Sequence, residues 1–277
     1  MIPAANIIAW RQQAPWPEDN QVEQDLILSR LMIEIANDRL LGRELALRGG
    51  TCLHKVHLPT PLRYSEDLDY VRRSKSAVGP VLDALRELAT RTGLNDHGTD
   101  LRGQMAHAKF DANPTSGVGR IRVKVEINIA ETDALVPRIA LPLSVQSPWW
   151  RGEGQISTFA IEELMGTKLR ALYQRSKGRD LFDLWLVLTQ LELDERMVVA
   201  ALHHYMGQDA FTFPELSVNL SAKLDDRDFA ADPTQLVRDV PPDYTPTRAA
   251  NLVMERLGPH LRNAPLEAEI RNGAWRR

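Results

Sequence analysis

Residues 47–71 read LRGGTCLHKVHLPTPLRYSEDLDYV, and this stretch decides what the rest of the chain is built around. It closes on Asp67-Leu68-Asp69, followed by Tyr70 and Val71, whose apolar character suggests a short strand. Side chains in a strand alternate faces, so Asp67 and Asp69 point one way and Leu68 and Tyr70 the other. Two neighbouring carboxylates repel unless a cation lies between them. A hard divalent ion with oxygen ligands, Mg²⁺ above all and Mn²⁺ after it, fills that place. Upstream, Gly49-Gly50 offers backbone without Cβ that a polyphosphate can approach, and Thr51 opens a helix start whose N–H groups favour anions. Phosphate on one side and metal on the other describes nucleotidyl or phosphoryl transfer. A lone Asp-x-Asp also occurs on solvated strand ends with no function, so the weight rests on what accompanies it.

The chain has 277 residues and 43% hydrophobic content, enough for one large domain or two small ones. With 34 basic against 37 acidic residues there is no bulk positive charge, although a local patch suffices to bind RNA. The single cysteine, Cys52, excludes an internal disulfide and reads as a small core residue rather than a nucleophile. Neither a signal peptide nor an apolar run of membrane length is present, so a soluble cytoplasmic protein with no membrane partner is expected.

Residues 1–20, with Trp10 and Trp16, read as a loosely structured arm docked on the body. Residues 21–41 carry Leu28, Leu31, Ile35 and Leu40 near one stripe, predicting a helix that Gly42 stops. Pro59 and Pro61 break any helix begun at Thr51. Residues 80–92 read as an amphipathic helix between Pro80 and Gly93. Residues 104–112 and 120–130 read as two strands joined by the turn at Asn113–Gly117. Residues 131–156, with three prolines and little periodicity, read as a connection between two lobes. From Ser157 or Thr158, either of which can cap, the pattern turns helical, with a break at Ser176-Lys177-Gly178. A second helix ends near Leu191 and a third at Gly207; 214–246 holds turns and short pieces, 246–257 a last helix, and the tail beyond Pro265 frays.

In the second predicted strand Ile121, Val123, Val125, Ile127 and Ile129 alternate with Arg122, Lys124, Glu126 and Asn128, and Glu126 is the only acid of the polar set. It either joins a site or pairs with Lys124 or Arg122 on a solvated face. Lys168 and Arg175 are seven residues apart, two helical turns, and can grip the β- and γ-phosphates from one face. Asp180 and Asp183, three apart, also share a face. The alternative is a surface helix–turn–helix with Lys–Asp pairs of little worth. Ser65 either touches bound phosphates or a metal-bound water, or only shapes its turn. His54 and His57 lack a third ligand for zinc and read as packing or phosphate-adjacent residues. Trp149-Trp150 read as packing between lobes, with base stacking as the alternative.

These blocks resemble the signature of the polymerase-β-like nucleotidyltransferases, a Gly-[Gly/Ser] turn followed by Asp-x-[Asp/Glu]. More narrowly, Leu47–Thr51 with Arg63–Asp69 is similar to the AbiEii/AbiGii toxin branch, with its Gly-Gly-Thr turn and Arg-x-Ser-Glu-Asp-x-Asp segment. Lys168–Leu184 is similar to that branch's second signature, a helix lysine leading to Arg-Asp-x-x-Asp-Leu. The resemblance covers about residues 25–190. It implies an α/β (α+β) fold: a nucleotidyltransferase lobe with a small mixed sheet and the N-terminal arm at 1–156, a mainly helical lobe at 157–277, and a nucleotide cleft between them. It implies Asp67, Asp69 and Glu126 as metal ligands and, with Lys168 and Asp180, as catalytic residues. Gly49, Gly50, Thr51, Arg63, Ser65, Lys168, Arg175 and Asp183 are implied as nucleotide-binding. It further implies a type IV toxin–antitoxin or abortive-infection toxin with a cognate antitoxin, an NTP as substrate, and the tRNA 3′ end or another RNA as acceptor, so that translation stops. Two alternatives stay open: a relative acting on a small molecule such as an antibiotic, and a pseudoenzyme that only binds nucleotide or a partner.

Overall fold

The computed structural model of the protein describes residues 2–262; the tail beyond Pro265 lies outside them. The described chain forms two compact units. One runs to Asp133 and takes back Arg138–Thr158; the other holds Ala134–Pro137 and everything from Phe159 on.

The first unit contains α1 (Ala4–Trp10), α2 (Asp19–Asn37), α3 (Leu41–Glu44), β1 (Leu45–Arg48), α4 (Gly49–Cys52), β2 (Asp67–Arg72), α5 (Gly79–Thr92), β3 (Asn95–Arg102), β4 (Met105–Ala112), β5 (Ile121–Asn128), β6 (Ile139–Gln146) and β7 (Arg151–Thr158). Its seven strands form one mixed sheet in the order β3-β4-β5-β2-β1-β7-β6. β2 runs parallel to β5 and antiparallel to β1, and β1 runs parallel to β7. The short apolar strand β1 sits between β2 and β7 with Leu45, Ala46 and Leu47 all buried, as expected of a strand covered on both faces. β5 alternates as its sequence predicts, with Ile121, Val123, Val125 and Ile127 in the core.

Four expectations are corrected here. The N-terminal arm is not loose: it contains α1, and Trp10 and Trp16 are buried with both indole Nε1 atoms donating to Asp25 at 2.9 Å. Gly42 does not stop α2, which ends at Asn37. It lies in α3, where a Cβ would sit 2.3 Å from the Ala36 carbonyl oxygen, so its role is close approach. Residues 131–156 are not a mere connection, for β6 and β7 pair as an antiparallel hairpin. Pro142 hid this strand, yet β6 is the sheet edge, where a missing N–H donor costs nothing. Gly154 faces α2, where an added Cβ would meet Asn37 Oδ1 at 3.3 Å and Ile33 Cγ2 at 3.4 Å, so there too the glycine marks packing rather than a turn. Ser157 and Thr158 end β7 instead of capping a helix, and the Thr158 hydroxyl donates to the Leu47 carbonyl at 2.8 Å. Strand β3 was not predicted. Its sequence NDHGTDLR is polar because it is the other sheet edge, and a register shift between Asp96 and Thr99 accommodates Gly98 at φ +101.

The second unit is helical: α6 (Ile161–Gln174), α7 (Gly178–Gln190), α8 (Glu195–Met206), α9 (Phe213–Leu224), α10 (Arg227–Ala231) and α11 (Pro246–Leu257). α6 packs on α7 and α8, and α7 on α11. Gly166 allows the α6–α8 approach, since a Cβ there would lie 2.5 Å from that of Ala201. The segment expected to hold only short pieces contains α9, three turns long and opened by a Thr212/Glu215 capping box with Pro214 in the first turn. No helix of the described residues is long and apolar enough to cross a membrane.

Asp25 is the polar hub of the first unit. Besides two indoles it meets Lys55 Nζ at 2.8 Å, and it is 2% exposed. Asp25→Ala strands three buried donors and is expected to cost about 3–5 kcal/mol in urea unfolding. Asp25→Asn, which keeps one acceptor oxygen, is expected to cost less.

Candidate active site

The site begins where β1 ends. Gly49 has φ +81, and a Cβ on it would sit 2.2 Å from Asp69 Oδ2, so both the backbone and the carboxylate demand glycine. At Gly50 a Cβ would meet Arg63 Nη2 at 2.3 Å and Ser65 Oγ at 3.3 Å. Arg63 is buried, and its Nη1 donates to the Tyr64 carbonyl at 3.1 Å. The helix expected after the glycines is a single α turn continued by a π turn over Leu53–His57, and it stops before Pro59.

Thr51 Oγ1 lies 2.5 Å from the Asp67 carbonyl oxygen and 2.7 Å from Ser65 Oγ. The carbonyl can only accept, so the Thr51 proton goes there and Ser65 is left to donate to Thr51. The strand begins at Asp67 and does not extend back to Ser65, so strand alternation does not place Ser65 beside the carboxylates. Thr51 and Ser65 together pin the entry into β2.

Within β2 the alternation holds. Leu68 and Tyr70 are buried, and Asp67 and Asp69 are half-buried on the other face. The parallel register sets Asp67 beside Lys124 and Asp69 beside Glu126, and antiparallel β1 sets Arg48 on the other side of Asp69. Glu126 is contacted by Lys124 Nζ, and its Oε1 lies 3.2 Å from His107 Nδ1 on β4. The pairing with Lys124 foreseen as an alternative for Glu126 is therefore present, and on the same face as both aspartates. Burial, and then the negative charge of Asp69, push the Asp67 carboxyl up to about 6; Lys124 opposes this, and Glu126 and Glu66 add to it.

The donor set Asp67, Asp69 and Glu126 is all carboxylate oxygen, which suits Mg²⁺ or Mn²⁺, and the excess negative charge that raises Asp67 is what a divalent ion neutralises. Among the described residues no three His, Cys, Asp or Glu side chains already converge as a closed ligand set. In particular, His54 and His57 form no zinc site. Burial pushes His57 down to about 4, as befits a packed neutral imidazole. Cys52 is pushed up to about 12 by burial and lies 3.0 Å from Thr158 Oγ1, an inert core thiol. Trp149 and Trp150 both lie under the Arg30 guanidinium of α2, so they pack within the first unit rather than between lobes.

In the second unit, Lys168 on α6 meets Asp180 at 3.3 Å and Asp183 at 2.8 Å, both on α7 and both fully buried. Arg175 binds Asp180 through two nitrogens, at 2.7 and 2.9 Å. The expectation that Lys168 and Arg175 share a helix face is corrected: α6 ends at Gln174, and Arg175 is extended and reaches Asp180 across the turn. Gly178 makes that turn possible, since a Cβ there would lie 2.0 Å from the Phe229 carbonyl oxygen. Burial raises the Asp180 carboxyl, but Lys168 and Arg175 outweigh it and hold the group below the usual carboxylate range. Lys223 was not foreseen. Its Nζ donates to the carbonyls of Leu172 and Tyr173 at the end of α6. His107 was missed as well, although the polar alternation His107, Lys109, Asp111 on the strand paired with β5 was readable.

A family model described as "Nucleotidyl transferase AbiEii toxin, Type IV TA system" matches residues 30–257. Among solved structures, the nucleotidyltransferase toxin MenT4 of Mycobacterium tuberculosis H37Rv superposes with a TM-score of 0.68 at 20% identity, over 96% of this chain and 92% of that one. JHP933 from Helicobacter pylori does so with a TM-score of 0.52 at 16% identity, over 94% and 96%. At these identities the likeness is one of fold. No curated protein matches the sequence.

Asp67 has a raised pKa in the folded state, so its contribution is most favourable when protonated, below the usual 3.8, and is lost as pH climbs from about 4 to about 6. Asp67→Asn is expected to remove that slope and to stabilise the metal-free protein at pH 7.5 by about 1–3 kcal/mol. Added Mg²⁺ should raise the melting temperature of the wild type and not of this variant. Lys168→Ala takes one cation from two buried aspartates and is expected to cost about 3–5 kcal/mol in urea unfolding; wild-type stability would show that the cluster is not structural.

Proposed function

The chain belongs to the AbiEii nucleotidyltransferase toxin family, and from that premise we propose that it transfers a nucleotide from an NTP to RNA, with the 3′ end of tRNA as acceptor, using Mg²⁺ or Mn²⁺. The observation that carries this reading is the parallel pairing of β2 with β5, which gathers Asp67, Asp69 and Glu126 on one sheet face. A bond forms between the acceptor hydroxyl oxygen and the α-phosphorus, and pyrophosphate leaves. Asp67 and Asp69 would hold the cation with Glu126 beside them; when bound, it supplies charge neutralisation for the triphosphate and acidifies the attacking hydroxyl.

The protein's own groups have distinct tasks in this reading. Glu126 takes the proton of the acceptor hydroxyl. Gly49 and Gly50 keep the backbone clear of Asp69 and Arg63 and leave the turn open to a triphosphate. Thr51, Ser65 and Arg63 fix the strand entry that presents Asp67. In the second unit Lys168, Asp180 and Asp183 form the scaffold. Arg175 closes that scaffold by pairing with Asp180. A separate antitoxin restrains the activity, and the reaction runs in the cytoplasm, where NTPs and tRNA are both present.

Incubation with each α-labelled NTP and total RNA tests this. Label is expected at RNA 3′ ends, dependent on Mg²⁺ or Mn²⁺. Asp69→Asn should lose roughly 100-fold or more of the rate, the scale of the several kcal/mol that a metal Lewis acid supplies. Label in a small-molecule fraction instead of RNA would overturn the acceptor assignment, and no label in any fraction would overturn the transfer reading.

A further inference from the structure

The strand order gives the sheet face a direction. The glycine turn leaves β1 on one flank of β2, and β5 and then β4 lie on the other. On that second flank a groove of about 750 Å³ opens beside Asp67, within the size range of ligand-binding clefts. Its charges are sorted. Glu66 and Asp67 lie in its lining together with four cations, Lys109, Arg120, Arg122 and Lys124. Its remaining acid, Asp111, is buried and accepts from Asn95 Nδ2 at 3.0 Å and from Arg120 at 3.3 Å. Register places Lys109 opposite Lys124 and Asp111 opposite Arg122, so the cations occupy neighbouring rows of one surface.

These cations are available to a ligand. Arg122 is exposed, and Arg120, which pairs with the buried Asp111, keeps its own side chain 65% exposed. Lys109 pairs with Asp100 at 3.0 Å with both side chains a third or more exposed. Exposed pairs of this kind are worth about 0–1 kcal/mol, so a phosphate can replace the carboxylate at little cost. We infer that this groove is the acceptor channel: the phosphodiester backbone of a single-stranded RNA 3′ end lies along Lys109, Arg120 and Arg122, with its terminal hydroxyl brought to the Asp67 end. This rests on the transfer reading above and adds where the acceptor binds and by what chemistry. The triphosphate, received at the glycine turn, reaches the carboxylates from the opposite flank of β2, so the two polyanions do not compete.

The test compares wild type with Arg122→Gln and Arg120→Gln/Arg122→Gln, melting each to confirm folding. Binding of a labelled single-stranded RNA 12-mer is measured by anisotropy across salt, and binding of a non-hydrolysable NTP analogue by calorimetry. Each lost phosphate contact should weaken RNA binding roughly threefold to tenfold and lower the log–log salt slope by about 0.7. Affinity for the NTP analogue should not change. Unchanged RNA affinity in the folded double variant overturns the channel, as does a wild type that binds no RNA. An equal loss for the NTP analogue also overturns it and assigns the strip to the triphosphate. RNA binding lost in the variants, in a wild type that labels no RNA, supports the groove and refutes the transfer reading instead, so the two fail separately.

Discussion

The constraint on which this structure turns is a parallel strand pairing that sets like charges side by side. Asp69 stands next to Glu126, and Asp67 lies one row away on the same face. Like charges on neighbouring strands destabilise a sheet, and Lys124 beside Asp67 and Arg48 beside Asp69 offset that only in part. The rest of the offset comes from the opposite face, where Leu68, Tyr70, Val125 and Ile127 are all buried. A one-residue slip would turn the carboxylates into the core and the apolar side chains out, so register is fixed by burial and the repulsion is tolerated. Lys124 relieves Glu126, and Gly49 leaves room for the Asp69 carboxylate, but Asp67 keeps its raised proton affinity. The fold gathers negative charge at one place on its surface.

Holding that place still takes buried polar contacts as well as apolar ones. Asp25 collects Trp10 and Trp16 from the N-terminal segment and Lys55 from the π turn, the segment that follows the glycine pair. The Trp16 ring also meets Tyr64, three residues before Asp67, with ring centroids 5.8 Å apart. The first twenty residues thus brace both approaches to β2. A buried carboxylate is a costly brace, yet with three donors its desolvation is met, and an apolar replacement would leave two indole N–H groups without partners.

What the sequence disclosed follows from which residues had one job. β5 was legible because its alternation is uninterrupted, and α5 because Pro80 and Gly93 punctuate it, Gly93 taking φ +80 past the helix end. Asp67 and Asp69 were legible as a same-face pair for the same reason. The failures lie where a residue has two possible jobs. Pro142, Gly152 and Gly154 signal turns in sequence, but in β6 and β7 they sit at a sheet edge, under the Trp150 ring and against α2. Gly42 looked like a helix stop because close packing and αL geometry both select glycine. Arg175 was misplaced because helix spacing was extended one residue past the helix end. Trp10 and Trp16 could be seen as docking residues, but their common partner Asp25 lies on a helix nine or more residues away, and sequence alone does not pair them. Helix α9 is different: Thr212, Pro214 and Glu215 are a complete start signal, and it was there to be read.

The two acidic clusters differ in their balance of charge. Around Asp180 and Asp183 there are two cations for two carboxylates, all at ion-pair distance, and Asp180 is held below the usual range despite full burial. That cluster is electrostatically complete. A ligand could bind there only by displacing a partner from a buried charge, which costs several kcal/mol. Around Asp67 the shift runs the other way: burial raises the carboxyl first, the charge of Asp69 adds to it, and the one lysine that faces it does not reverse the sign. Burial raises both carboxyls, and only the cations paired with Asp180 are enough to reverse the sign. A site that must take up a cation and a polyanion has to begin with a deficit of positive charge at its centre and a supply of it alongside. The first unit has both, in the β2 carboxylates and in the cations of β5 and β4 next to them.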